Sequence, residues 1–370
     1  MRVVIVGAGV AGLSAAWWLR RLGHQPVVID QGPIPNPMAS SFDRHRLIRL
    51  AHSEGDGRGV IIHEAFAAWD ALWADLGTRH YAETGMLMVG SRPDDWAHSC
   101  RAAFDRNAVA YEVWDRAELG RRCGYLALGD DDWGLFTARG GALFADRILI
   151  GLASWLLDAG ADLYPRAEVV AVDREAATAT LADGTVIGGD ALIVAAGAWT
   201  GRLLPELAPS LQPRRSVVAY LKPPADLAPL WQDSPCFLDF GRGSDMYAVP
   251  PLEGMDFKFG SGDHSRPGDP ATPRALAPDE PESLLAFMRP FLRDFDRYQV
   301  SDVRVCYTCY SPDQHFIAGR DGRMAYVSGC SGQMFKFGAV MGRRLAEAAI
   351  GTLDGETLRL WARGERPLGG

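Results

Sequence analysis

Two cysteines three residues apart, Cys306 and Cys309, lie in the stretch VRVCYTCYSPDQHF (303–316). A pair with this spacing has several chemical uses: a redox disulfide of the thioredoxin type, half of a zinc site, or two inert buried thiols. The helix context of a thioredoxin-like pair is missing, and no second CxxC or HxxxH completes a zinc site, so we expect no bound metal. The use of these thiols therefore depends on what the rest of the chain binds.

Four basic residues could place a cation beside a reacting group. Lys258 alternates with two phenylalanines in DFKF (256–259), so in a strand it would face away from them, toward solvent or a cavity. Lys336 lies in the first turn of a predicted helix, where the macrodipole disfavours a cation unless an anion is held nearby. Arg46 and Arg49 share a face if their segment is helical and diverge if it is a strand. Each residue also has an ordinary interpretation as a solvated surface charge.

The first thirty residues predict a unit that could position a ligand near these groups. VVIV (3–6) is a continuous β-branched run, which is typical of a strand buried on both faces. GAGVAG (7–12) follows directly, LSAAWWLRRLG (13–23) predicts a helix, and PVVID (26–30) predicts a second strand that ends in an acid. This order of strand, GxGxxG turn, helix, strand and acid indicates dinucleotide binding.

Each residue of this motif has a physical reason to be there. Gly7 permits the tight turn, Gly9 lets the backbone approach a pyrophosphate, and Gly12 allows close packing of helix on strand. The free N–H groups at the helix N-terminus bind phosphate oxygens, and Asp30 is placed to accept a hydrogen bond from a ribose hydroxyl. The motif alone does not distinguish a flavin from a nicotinamide dinucleotide.

Composition narrows the function classes. The 370 residues are 48% hydrophobic and 23% charged, enough for about two folded domains. The formal net charge of −8 argues against a nucleic-acid partner, because phosphate binding needs cations. No apolar run reaches the ~20 residues of a membrane span, no signal peptide is recognisable, and six cysteines are too few for a disulfide framework. We therefore expect a cytoplasmic protein without membrane contact.

Several segments, taken in order, resemble the monomeric sarcosine oxidase and N-methyltryptophan oxidase family of D-amino-acid-oxidase-like flavoproteins. The matching pieces run through most of the chain: VVIVGAGVAGLSAA, SSFDRHRLIRLAHSEG, LIVAAGAW, DFKFG, CYTCYSPDQHFIAG and SGQMFKFG. The pair Gln333-Met334 departs from the His-Gly that many relatives have before Phe-Lys, and His45 departs from an expected threonine. Gln333-Met334 lies close to Lys336, which the resemblance implies to bind the substrate carboxylate, so sarcosine itself is not assigned as the substrate.

The resemblance implies a fold of the α/β and α+β classes. We expect an N-terminal Rossmann-like FAD-binding domain and an inserted substrate domain built on a mixed or antiparallel sheet. The FAD-binding domain is predicted to be discontinuous and to comprise residues 1–80, 146–212 and 302–370. The substrate domain is predicted to comprise residues 81–145 and 213–301.

The resemblance also implies a role for each residue that matches a family motif. Cys306, counted back from the Pro-Asp-x-x-Phe-Ile stretch, matches the cysteine that bonds covalently to the flavin. Lys258 matches the lysine that activates dioxygen, while Arg49 and Lys336 match the pair that holds the substrate carboxylate, with Tyr247 beside them. The full set expected to contact FAD is Gly7, Gly9, Val10, Ala11, Gly12, Asp30, Ser40, Ser41, His45, Arg46, Val169, Gly197, Trp199, Cys306, Gly332, Gln333, Met334, Phe335 and Lys336.

The function implied by the resemblance is FAD-dependent oxidation of a secondary amino acid, N-methyl, N-alkyl or cyclic. Dioxygen is the expected acceptor, giving hydrogen peroxide and an imine that water hydrolyses, and the protein is expected to be a monomer. Two alternatives stay open: a dehydrogenase that uses another electron acceptor, and a flavin-binding subunit or sensor without turnover.

Overall fold

The computed structural model describes residues 1–93 and 95–368. Residue 94 of the predicted segment 81–145 therefore lies outside the described ranges, and so do residues 369 and 370 of the predicted segment 302–370. Every residue predicted to bind cofactor or substrate lies within the described ranges.

The α-helices of the described chain are α1 (Val10–Arg21), α2 (Arg58–Leu76), α3 (Trp96–Arg106), α4 (Arg116–Arg122), α5 (Ala145–Asp158), α6 (Thr200–Leu203), α7 (Glu280–Met288), α8 (Met334–Ala349) and α9 (Gly355–Ala362). Within the residues that the structure describes, none of these helices has both the length and the apolar character needed to cross a bilayer.

The strands of the described chain are β1 (Arg2–Val6), β2 (Gln25–Ile29), β3 (Arg46–Arg49), β4 (Tyr81–Ala82), β5 (Met86–Gly90), β6 (Glu112–Trp114), β7 (Trp133–Thr137), β8 (Gly140–Leu143), β9 (Asp162–Tyr164), β10 (Val169–Asp173), β11 (Thr178–Leu181), β12 (Val186–Gly188), β13 (Ala191–Val194), β14 (Gln212–Lys222), β15 (Cys236–Asp239), β16 (Met246–Val249), β17 (Phe257–Ser261), β18 (Arg266–Pro267), β19 (Gln299–Tyr310), β20 (Ile317–Asp321) and β21 (Met324–Ser328).

A six-stranded sheet in the order β20-β21-β13-β1-β2-β9 forms the Rossmann-like unit. Its strands pair in parallel, except for β20, which is antiparallel to β21. Alternate residues of β1 pack into two different cores. Val3 and Ile5 face the helical layer that contains α1 and α8, whereas Val4 and Val6 face the antiparallel meander β10-β11-β12. Burial on both faces explains why β1 is apolar throughout.

The second large sheet is mixed and has the order β18-β14-β17-β16-β15-β5-β7-β6, with β19 paired to β14. The pairing of β15 with β5 is parallel and the other pairings are antiparallel. The expected α/β and α+β architecture is thus confirmed. The division into two domains stays a prediction, and its borders at 212/213 and 301/302 fall inside β14 and β19.

Two glycines bring α8 against α1. A Cβ on Gly338 would lie 2.3 Å from Cγ2 of Val10, and a Cβ on Gly342 would lie 2.4 Å from the carbonyl carbon of Ser14. Both contacts advance by four residues in each helix, so the two helices run in the same direction. Their N-termini, with the partial positive charge of each helix dipole, therefore lie side by side.

Candidate active site

One cavity of about 750 Å³ lies between the two large sheets and contains the N-termini of α1 and α8 in its wall. Its volume falls within the range of ~300–1,000 Å³ that is usual for ligand and cofactor pockets. Of the residues expected to bind cofactor or substrate, those that line it are Gly7, Gly9, Val10, Ala11, Asp30, Ser40, Ser41, His45, Arg46, Arg49, Val169, Gly197, Trp199, Tyr247, Cys306, Gly332, Gln333, Met334, Phe335 and Lys336. Gly12 and Lys258 lie behind this wall.

The glycines of the first turn form a cradle that side chains would fill. Gly7 has φ +106°, and a Cβ there would lie 2.4 Å from the carbonyl oxygen of Ala195. A Cβ on Gly12 would lie 1.9 Å from the carbonyl oxygen of Gly7, which accounts for the place of Gly12 behind the wall. The N-cap residue of α1, Gly9, has no side chain that caps the helix, and among the first N–H groups that of Val10 donates to the Ser41 hydroxyl. The turn therefore offers backbone N–H groups and the positive end of a helix to an anion.

Asp30 holds this turn together and keeps capacity for a ligand. Its Oδ1 accepts hydrogen bonds from the amide of Asn36 at 2.7 Å and from the N–H of Gly32 at 2.8 Å. Its Oδ2 accepts from the N–H of Ala8 at 2.8 Å. A carboxylate oxygen can accept two hydrogen bonds, so Oδ2 retains one position for a hydroxyl group in the cavity.

The middle of the cavity contains a histidine whose ring nitrogens are unsatisfied. Both ring nitrogens of His45 are buried and have no hydrogen-bond partner among the described residues. Burial, together with the nearby Lys258, lowers the pKa of His45 well below its usual value, so the ring is neutral. Beside it, Ser41 Oγ accepts from the N–H of Val10 at 3.0 Å, and the Ser40 hydroxyl donates to the carbonyl of Tyr307. Buried groups without partners indicate a polar ligand.

Lys258 forms a buried ion pair that the sequence did not reveal. Its Nζ donates to Asp43 at 2.5 Å and to the carbonyl of His45 at 2.9 Å, and the Asp43 carboxylate also accepts from Arg46 and from the Tyr220 hydroxyl. Lys258 is 1% exposed, so the solvent-facing alternative is excluded. Burial alone would raise the pKa of Asp43, but Lys258 and Arg46 hold it well below its usual range. Burial lowers the pKa of Lys258 to about 8, against the pull of Asp43.

Strand β19 separates the two cysteines of the CxxC sequence. Residues an odd number apart in a strand lie on opposite faces, and Cys306 faces the cavity. Cys309 also borders the cavity but packs with Val305 and Tyr307 in the core of the mixed sheet. Its N–H lies 3.5 Å from Sγ of Cys330. The six cysteines are free thiols, and burial raises the pKa of Cys306 although Arg46 partly opposes this.

Arg49 and Lys336 converge on one oxygen atom, the amide Oε1 of Gln333. Arg49 Nη2 donates to this oxygen at 3.3 Å, and Lys336 Nζ donates to it from the first turn of α8. Arg49 and Lys336 are 6% and 5% exposed, respectively, and Arg49 Nη1 has no partner among the described residues. The amide oxygen of Gln333 thus occupies the position where one oxygen of a bound carboxylate would accept from both cations.

Burial, with a smaller contribution from neighbouring positive charge, lowers the pKa of both cations. Burial lowers the pKa of Arg49 to about 10, and burial together with Arg49 and Arg58 lowers the pKa of Lys336 well below its usual value. The nearby Asp56 opposes this lowering only in part, and its carboxylate accepts from Arg58 at 2.9 Å and lies 3.1 Å from Nδ1 of His52. A bound anion would favour the protonated forms of both cations.

Sequence reasoning missed three residues around the site. Asp43 stood inside a stretch interpreted as basic, and nothing local indicated its contact with Lys258. Trp96 contacts the guanidinium of Arg49, whose central carbon is 5.3 Å from the ring centroid. Asp245 lines the cavity next to Tyr247. In the described ranges 1–93 and 95–368, no group of three or more His, Cys, Asp or Glu side chains is arranged to hold a metal ion.

Comparison with known proteins agrees with this geometry. Human peroxisomal sarcosine oxidase is 26% identical over 361 residues, covering 94% of this chain and 91% of the relative. N-methyl-L-tryptophan oxidase of Salmonella heidelberg is 25% identical over 361 residues, covering 94% of each chain. The structure of NikD, described as an unusual amino acid oxidase, superimposes with a TM-score of 0.80 at 22% identity over 96% of each chain, and shows the shared fold. The FAD dependent oxidoreductase (DAO) profile matches residues 2–348, and the chain therefore belongs to that family.

Proposed function

We propose that this protein is an FAD-dependent oxidase of a secondary amino acid. The observation that carries the proposal is the convergence of Arg49 and Lys336 on the Gln333 amide oxygen, in the same cavity as the dinucleotide turn. Two buried cations around one acceptor form a site for a carboxylate. The names of the sarcosine and N-methyl-L-tryptophan oxidases describe N-methylated amino acids as their substrates, which supports the N-substituted class.

The residues present fit FAD. The Gly7 turn and the start of α1 suit a pyrophosphate, and Oδ2 of Asp30 suits a ribose hydroxyl. The unsatisfied ring nitrogens of His45 suit the polar edge of a flavin. We further propose that Cys306, which faces the cavity from β19, bonds covalently to the flavin.

When bound, FAD would supply the redox chemistry: it would take a hydride equivalent from the carbon next to the substrate nitrogen, leaving an imine that water hydrolyses, and dioxygen would take up the two electrons and two protons to give hydrogen peroxide. The chain's own residues bind and orient the substrate for this reaction. Its carboxylate displaces the Gln333 amide oxygen and accepts from Arg49 and Lys336, and the protonated form of Lys336 is favoured once the anion is bound. The same positive charge favours the neutral form of a nearby substrate amine, which is the form that is oxidised.

Lys258 supplies positive charge on the other side of the cavity wall. Its ammonium is fixed by Asp43 and by the carbonyl of His45, so it needs no reorganisation during the reaction. A fixed cation stabilises the negative charge that dioxygen acquires on reduction. Two observations also favour a second candidate function, a dehydrogenase that uses another electron acceptor. Lys258 does not line the cavity, and its ion pair with Asp43 would neutralise its charge too well for it to assist dioxygen.

Two broader properties complete the proposal. We propose that the protein acts as a monomer, as the name of the Bacillus monomeric sarcosine oxidase describes for that relative. We also propose a cytoplasmic location, which is supported by the six free thiols.

The first prediction concerns the substrate class. Purified protein carrying FAD is expected to lose its visible flavin absorbance anaerobically with at least one N-methyl or cyclic amino acid, and the same compound in air should give peroxide. The carboxamide of that amino acid is the matched control. Its kcat/KM should be at least about 100-fold lower, because each hydrogen bond to a charged group contributes roughly 1.5–3 kcal/mol. Purified protein without flavin absorbance, or bleaching by none of these compounds, would contradict the proposal.

The second prediction separates the oxidase from the dehydrogenase. Lys258→Met should slow flavin reoxidation by dioxygen about 10²-fold, by analogy with the loss of one preorganised donor, and should affect flavin reduction far less. The pKa of Lys258 is lowered to about 8, so reoxidation of the unaltered protein should slow as the pH rises through about 8. Lys222→Met, at an exposed position of β14, is the control. Stopped-flow absorbance that shows reoxidation by dioxygen unchanged in Lys258→Met would favour the dehydrogenase.

The third prediction concerns the flavin attachment. After denaturation in acid, yellow colour should stay with the polypeptide of the unaltered protein and of Cys309→Ser, and should separate from Cys306→Ser. The reason is that Cys306 lies on the cavity face of β19, whereas Cys309 lies on the opposite face and packs in the core of the mixed sheet. Release of colour from the unaltered protein would exclude a covalent bond, and retention in Cys306→Ser would exclude this sulfur.

A further inference from the structure

Asp245 presents an unpaired carboxylate to the cavity. It precedes β16 with φ +37°, in the left-handed region, and its carbonyl accepts from the N–H of Gly262 at 3.2 Å. A Cβ on Gly262 would lie 2.2 Å from Oδ2 of Asp245, so the glycine leaves the space that this carboxylate occupies. The carboxylate lines the cavity, and no described residue donates a hydrogen bond to it or lies within ion-pair distance.

The two neighbouring acids do not have this property. Asp239 uses Oδ1 to accept from the Ser244 hydroxyl at 2.6 Å and from the N–H of Gly241 at 2.9 Å, and it does not line the cavity. Asp263 is exposed, as Asp245 is, but it does not line the cavity. Asp245 is therefore the carboxylate of this group that a bound ligand can reach.

An independent observation on the same cavity indicates a ligand. Arg49 is 6% exposed, lines the cavity and has a buried Nη1 without a partner among the described residues. Arg49 and Asp245 form no ion pair, yet each shifts the pKa of the other toward the charged form. Burial, with Asp263 and Asp239, raises the pKa of Asp245 to about 6. The cavity thus has a cationic pole, where Arg49 Nη1 is without a hydrogen-bond partner among the described residues, and an anionic pole at Asp245.

We propose that the cavity selects amino acids that carry a second, cationic group, which Asp245 binds while Arg49 and Lys336 bind the carboxylate. A ligand with both charges would bind at both poles at once. This inference rests on the proposed function, because it assigns a side-chain class to the substrate of the same site.

The test uses inert ligand pairs that differ only in the distal charge. Protein carrying FAD is titrated with butyrate, pentanoate and hexanoate, and with 4-aminobutyrate, 5-aminopentanoate and 6-aminohexanoate, and Kd is taken from the change in flavin absorbance. At least one amino compound should bind about tenfold more tightly than its alkanoate, which is the scale of a charge-assisted hydrogen bond. The series of chain lengths locates the spacing at which the distal group reaches Asp245.

Three variants identify the group that recognises the distal charge. Asp245→Asn should abolish the advantage of the amino compounds while the alkanoates still bind, which also shows that the variant is folded. Gly262→Ala, whose methyl group would displace the carboxylate, should reduce the advantage as well. Asp263→Asn removes a nearby charge outside the cavity wall and should preserve it.

The outcomes distinguish this inference from the proposed function. The inference is overturned if no amino compound outperforms its alkanoate, if the advantage survives in Asp245→Asn, or if no carboxylate binds. If the ligand pairs discriminate as expected while no secondary amino acid bleaches the flavin, the proposed oxidase fails and the cation site stands. If neutral secondary amino acids bleach the flavin without such discrimination, the oxidase stands and the cation site fails.

Discussion

The constraint on which the site depends is the burial of positive charge around one cavity, and the Asp43 carboxylate is the group that makes it tolerable. It accepts from Lys258 and Tyr220 of the mixed sheet and from Arg46, which begins β3. Removing one partner of a buried ion pair costs roughly 3–5 kcal/mol, because the other charge is left uncompensated. Asp43 thus links the mixed sheet to β3, which pairs with β8 in a small separate sheet, and fixes the ammonium of Lys258 against the carbonyl of His45.

The other end of the cavity has the opposite arrangement, because no carboxylate of the described residues lies within ion-pair distance of Arg49 or Lys336. The parallel packing of α1 and α8 places two helix N-termini there, and Gln333 supplies only a neutral amide oxygen. Such a site favours anions of two kinds, a pyrophosphate at α1 and a carboxylate at α8. The charge of Lys258 is neutralised by Asp43 behind the cavity wall, whereas Arg49 and Lys336 on the wall have no ion-pair partner among the described residues. One cavity can therefore receive two anionic groups, one from the cofactor and one from the substrate.

Local periodicity predicted the parts of the fold that depend on neighbours in sequence. The GxGxxG turn at Gly7 and the start of α8 beside Gln333 follow from motif and pattern alone, and strand alternation correctly separated Lys258 from its flanking phenylalanines. The contacts that sequence did not predict join distant residues: Asp43 lies 215 residues from Lys258. No pattern within one segment reports such a pair. Asp245 was missed for the same reason, because the space for its carboxylate depends on Gly262, which is distant in sequence.

The central claim is that Arg49 and Lys336 bind the substrate carboxylate where the Gln333 amide oxygen now lies. A crystal structure of the FAD-loaded protein grown with butyrate tests it most directly. The account predicts carboxylate oxygens within hydrogen-bonding distance of both cations, including Nη1 of Arg49, with the Gln333 side chain rotated away. A structure in which Gln333 keeps both contacts and the carboxylate binds elsewhere in the cavity would contradict it.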